Sequence, residues 1–188
     1  EAKGPFGNSG ACNINVNCPS DVDVDFQSRS VAIIVVGNSG VCSGALVNNV
    51  LQDGTPLFLT ANHCLPFNSD NTQNWVFYFN HETAGCTGNT GPTNQSISGG
   101  TLLSSNAESD YALLELNNTP PASYNVCYSG WDATDAQGSV SSAYGIHHPS
   151  GDVKKICFEE DSPFHQNLGT FVNQTWFIDQ WELGVTEG

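Results

Sequence analysis

A chain of 188 residues, 38% of them hydrophobic, carries enough apolar side chain to bury one sizeable core or two small ones packed together. Lys and Arg total 4 against 19 Asp and Glu, a formal net charge of −15, which repels a phosphate backbone and excludes nucleic acid as an expected partner. No apolar run approaches the roughly 20 residues that span a bilayer as a helix, and the seven cysteines, without CxxC spacing, point to disulfides made in an oxidising compartment rather than to zinc or redox chemistry.

In chain order, the acidic DVDVD (21–25) reads as a solvated face, since a hard-cation loop needs more converging oxygens. The β-type segments then follow as SVAIIVVG (30–37), GALVNNVL (44–51), PLFLTA (56–61), NWVFYFNH (74–81), YALLEL (111–116) and TWFIDQW (175–181). They are rich in Val, Ile, Leu and aromatics and are separated by Gly, Asn, Ser and Pro clusters. Sustained helical periodicity with caps is missing, so the expected fold class is all-β, a barrel or sandwich. The polar stretch 87–100 reads as a long surface loop. At NNTPPASYN (117–125) two prolines interrupt any strand and mark a crossing between two sub-barrels. With no starting Met, basic n-region or apolar h-region, a processed, exported, soluble form is expected.

Two short stretches carry chemistry. FLTANHC (58–64) is an apolar strand that stops at His63 beside Cys64, and a general base needs an imidazole held in a fixed position. SDYALLEL (109–116) opens an apolar strand with Asp110, where a carboxylate can orient an imidazole and stabilise its protonated form. Taken singly, each has a plain structural reading, a core histidine and a turn aspartate; together they suggest a base and its orienter. His147 and His148 in YGIHHPSGD are neighbours on a strand and so point to opposite faces. They read as a strand followed by a turn at Pro149, Ser150 and Gly151 rather than as metal ligands. No metal or cofactor is expected. Trp75, Trp131, Trp176 and Trp181 read as core or barrel-wall residues.

The ordered set CSGALVNN (42–49), FLTANHC, SDYALLEL, GWD (130–132), IHHPSGD (146–152) and GVTEG (184–188) resembles the bacterial trypsin-like serine endopeptidases related to lysyl endopeptidase. The resemblance implies a chymotrypsin-like double antiparallel β-barrel, with residues 1–120 holding the first barrel and residues 121–188 starting a second that is incomplete in this chain. It assigns His63 as general base and Asp110 as its partner. It also implies a secreted enzyme cleaving protein or peptide substrates after Lys, or Arg, without a membrane and as a monomer. In the family the GVTEG-like segment runs into a GSSGSP-like loop bearing the serine nucleophile, and this sequence stops at Gly188. Ser39 and Ser43 precede His63, outside that motif, and are not substitutes. The serine is therefore expected on a missing C-terminal segment or a separate chain; the alternative is an inactive pseudo-protease that only binds peptides.

The same resemblance pairs Cys42 with Cys64 and Cys18 with Cys86, and it leaves Cys12 for a partner beyond Gly188, so that an associated C-terminal fragment would be disulfide-linked through Cys12. Spacing and the leftover count suggest a further bridge, Cys127 to Cys157.

Overall fold

In YALLEL, Ala112, Leu114 and Leu116 point one way and are buried while Tyr111, Leu113 and Glu115 point the other, the period of two that a half-buried strand requires. The computed structural model describes residues 6–18, 23–37, 40–65, 71–134 and 139–186, and Ser39, Asp21 and the last two residues of GVTEG lie outside them. The first strands are β1 (Ile14–Asn15), β2 (Val31–Val36), β3 (Gly40–Val47), β4 (Leu57–Thr60), β5 (Val76–Phe79), β6 (Ser96–Ser98), β7 (Gly100–Asn106) and β8 (Tyr111–Leu116). Those that follow are β9 (Ala143–His147), β10 (Lys155–Glu159), β11 (Phe164–Leu168) and β12 (Phe171–Phe177). The one α-helical turn among the described residues is α1 (Asp25–Ser28), and the all-β expectation holds.

Seven strands form one curled antiparallel sheet in the order β6-β5-β2-β3-β4-β8-β7. Its inner face buries Ala32, Ile34, Leu46, Phe58, Trp75, Phe77, Phe79, Ala112 and Leu114, and burial of this much aliphatic and aromatic surface is the main source of its stability. Phe58 packs edge-on against Phe77 with centroids 4.9 Å apart. Gly44 lets β3 come this close, because a Cβ there would lie 2.3 Å from the Phe58 ring and 2.6 Å from the Leu59 carbonyl oxygen. A second, three-stranded sheet runs β1-β10-β9 over a small core of Val16, Val24 and Ile156. β11 and β12 form a separate two-stranded hairpin.

Three segments differ from the expectations. GALVNNVL leaves the sheet after Val47, because Asp53 Oδ1 accepts from Asn49 Nδ2 and from the Thr55 N–H and hydroxyl; this knot turns the chain and leaves Val50 and Leu51 exposed. The stretch 87–100 is loop only up to the start of β6, which pairs with β5. Trp75 is core, whereas Trp131 and Trp176 are exposed; Trp131 instead donates its indole N–H to the Asn48 carbonyl at 2.8 Å.

Cys18–Cys86 and Cys42–Cys64 are bonded. The bridge Cys127–Cys157 is not formed: both thiols are free and buried. Cys127 sits where its N–H reaches the Arg29 carbonyl, beside the large sheet, whereas Cys157 lies within β10 with its Sγ on the Gly145 carbonyl, so the two belong to different packing units. Burial pushes the Cys157 thiol up to about 11.

Polar side chains join the sheets. Lys154, fully enclosed, donates to the Ser28 carbonyl at 2.7 Å and to Glu82 at 2.9 Å. Lys155 donates to Asn15 Oδ1 at 2.6 Å and pairs with Asp152 at 3.2 Å. Asp152 also accepts from the Ser9 N–H and hydroxyl, and Phe6 stacks on His81. His148 lies between the sheets, its backbone N–H on Ser43 Oγ and its Nδ1 on the Asp152 carbonyl.

Burial depresses His148 well below the ordinary value of 6.5, Lys154 and His81 push the same way, and the Asp152 hydrogen bond opposes them. Burial likewise lowers His81. The unfolded chain therefore binds protons near 6.5 that the folded chain refuses, so this contribution to stability is full above that pH and is lost below it. The urea midpoint is expected to fall between about pH 7.5 and about pH 5.5; an unchanged midpoint would exclude buried neutral imidazoles at this junction.

Candidate active site

β4 ends on Thr60, delivered to the inner face, and after Ala61 a single 3₁₀ turn, Asn62–Cys64, redirects the chain. The Cys42–Cys64 disulfide ties that turn to β3. Thr60 adds a hydroxyl bond to the Ser43 carbonyl at 2.8 Å. His63 is thus held by a covalent link on one side and a strand on the other, and its ring projects outward.

Asp110 stands immediately before β8, the strand next to β4. Its φ of 51° is left-handed, a conformation that Asp tolerates better than most residues. The turn before it is fixed by Asn106, whose Oδ1 accepts from the Ser109 N–H at 2.8 Å and from its hydroxyl at 3.0 Å. The Asp110 carbonyl accepts from the Asn62 N–H at 3.1 Å. Thr170, at the tip of the β11–β12 hairpin, donates to Glu108 in the same loop. Sequence reading missed Asn106 and Ser109, although an Asn three residues before a Ser is a local turn signal.

These two ends bring the side chains together. Asp110 Oδ1 accepts the His63 backbone N–H at 2.8 Å, and Oδ2 lies 2.7 Å from Nδ1. The side-chain bond to His63, followed by the backbone one, lowers the Asp110 carboxyl below its ordinary 3.8, so it is ionised at neutral pH and can only accept. Nδ1 then carries the proton and Nε2 is left with a lone pair, the tautomer a general base requires. The His63 and Asp110 side chains remain 72% and 49% exposed, so the described residues leave the pair open to water. Cys42, His63 and Cys64 bring ligand-type atoms within 4.8 Å of one another, but the two sulfurs are bonded to each other and offer no thiolate.

The family described as lysyl endopeptidase, C-terminal domain, matches residues 6–188. A lysyl endopeptidase of Pseudomonas aeruginosa is 36% identical over an alignment of 163 positions that covers 80% of this chain and 34% of that protein; the chain thus spans about a third of the length of this curated relative. Among solved structures, the Rv3671c protease in its inactive form aligns with a TM-score of 0.51 at 14% identity, over 79% of this chain and 60% of that one. A mutant of Rv3671c from M. tuberculosis H37Rv, also in the inactive form, gives 0.50 at 14% identity, over 79% and 58%. At such identities the likeness concerns the fold alone, a chymotrypsin-like all-β fold of which the curled seven-stranded sheet forms a half-barrel.

Proposed function

Because the chain belongs to the lysyl endopeptidase C-terminal domain family of proteases, we propose that it carries the base and the orienting carboxylate of a secreted serine endopeptidase that cleaves after lysine or arginine. The observation that supports this most directly is the paired hydrogen bonding of Asp110 to the His63 N–H and Nδ1. The nucleophile is a serine on polypeptide other than residues 1–188, either a following segment or a separate chain. Cys12, an exposed free thiol, is the point of disulfide attachment for it. In this reading residues 1–120 hold an N-terminal region and the first barrel, and residues 121–188 the start of the second.

In this reading His63 Nε2 takes the serine proton as the hydroxyl attacks the scissile carbonyl, and then returns it to the leaving amine. Water deacylates the ester by the same route in reverse. Asp110 stays ionised throughout, fixing the ring and stabilising the imidazolium. The excess of acidic residues draws cationic peptides towards the cleft, and the two disulfides suit an oxidising exterior.

The test is a panel of peptides identical except for one position holding Lys, Arg, Gln or Leu, incubated with the complete protease. Cleavage is expected after Lys and after Arg and not after Gln or Leu, and it should stop when a serine-directed phosphonate is bound. Peptide binding with no turnover of any member would make the protein an inactive relative.

A further inference from the structure

The chain has four cationic residues, and three of them, Arg29, Lys154 and Lys155, lie among the described residues. None presents a bond that a protease can take. A protease binds its substrate as an extended strand laid along an open edge of its own, which requires the segment around the bond to leave its neighbours. Lys155 and Ile156 sit in β10, the centre of its sheet. They pair with Asn15 and Ile14 of β1 on one side and with His147 and Ile146 of β9 on the other. Both edges of that backbone are occupied.

The lysine side chains are as inaccessible, and that of Arg29 is partly buried. Lys154 is 0% exposed and Lys155 6%, each ammonium satisfied by the partners named above. Arg29 donates to the Asp25 and Asn125 carbonyls and pairs with Asp25, and the residues flanking it, Ser28 and Ser30, are buried. Lys3 precedes every described element.

Acid enrichment for solubility explains many surface carboxylates but not this placement. An ammonium is costly to bury even when paired, and a surface rich in Asp and Glu would pair it in water at no such cost. Apolar side chains of similar volume at positions 154 and 155 would serve packing as well. What the three residues share is that none offers a scissile bond.

We infer that this placement protects the enzyme from itself: the folded chain shows its own active site no Lys or Arg bond among the described residues, and self-cleavage at the two lysines waits for the β1-β10-β9 sheet to open. The inference rests on the proposed specificity. The reaction is hydrolysis on the carboxyl side of the basic residue, with water giving its OH to the acyl carbon and its proton to the amine released.

The experiment puts a lysine where the fold exposes it. Leu51→Lys occupies a loop residue that is 79% exposed, Thr90→Lys gives a second exposed site, and Leu51→Gln is the control, all in the complete protease with a lysine peptide as an internal check of activity. Both lysine variants should be cut after the new residue about 100-fold or more faster than the parent or the control, because loops open far more readily than a paired central strand. The Leu51→Lys fragments stay joined by Cys42–Cys64 and separate only after reduction. In mild urea the parent should be cut after Lys154 or Lys155. Lysine variants that stay whole while the peptide is hydrolysed would overturn self-protection and leave the specificity standing. A peptide left uncut in the same tube would remove the proposed activity, and the inference with it.

Discussion

Asp110→Asn in the complete protease should lower kcat at neutral pH by about four orders of magnitude while leaving KM and the folded content nearly unchanged. The reason is directional. The His63 backbone N–H needs an acceptor where Oδ1 now lies, so an amide places its oxygen there and turns its NH₂ towards Nδ1. The ring must then accept at Nδ1 and carry its proton on Nε2, which leaves no lone pair for the serine. The substitution is nearly isosteric and the site is half open to water, so the loss would reflect the tautomer rather than unfolding. A circular dichroism spectrum matching the parent, together with steady-state kinetics, checks this; retention of kcat within about tenfold would take Asp110 out of the mechanism.

Phe58→Ala should cost about 3–5 kcal/mol of unfolding free energy. Its ring is fully buried, meets Phe77 edge-on and lies over Gly44, which has no side chain to move into the space. The neighbouring strands are held in register on both sides, by β3 and by β8, so the cavity cannot collapse. For a domain whose total stability is about 5–15 kcal/mol, this is a large part of the whole. Urea unfolding by tryptophan fluorescence measures it. A loss below about 1 kcal/mol would mean that the aromatic contact is replaceable and that the sheet relaxes.

Legibility in the sequence followed the local pattern. Strand β8 could be read residue by residue because burial on one face and solvent on the other impose alternation. Strand β7, GTLLSSN, could not: it is an edge strand whose residues are mostly exposed, and its conformation is set by the backbone of β8 beside it rather than by its own side chains. KICFE of β10 resembles no half-buried strand, since it is buried on nearly every residue and begins with a lysine. Asp152, three residues earlier, gives this lysine its counter-charge, but the acceptor that completes its burial, Asn15, lies 140 residues away, beyond the reach of any local rule. The Cys127–Cys157 expectation failed for the same reason, because counting leftover cysteines carries no information about which sheet each one joins. At the site, the two motifs named His63 and Asp110 as neighbours. The left-handed backbone of Asp110 and its hold by Asn106 and Ser109 appear only once β4 and β8 are seen side by side.

The pairing of Ile14 with Ile156 also orders events in time. A polypeptide made from its N-terminus can close the β2–β3 and β3–β4 hairpins as they emerge, because their contacts are local. Residues 14 and 15 have nothing to pair with until β10 exists, so β1 waits while the hairpins that follow it close. Lys155 emerges with β10 itself, and its ammonium stays unsheltered until β1 docks and brings Asn15 Oδ1 against it.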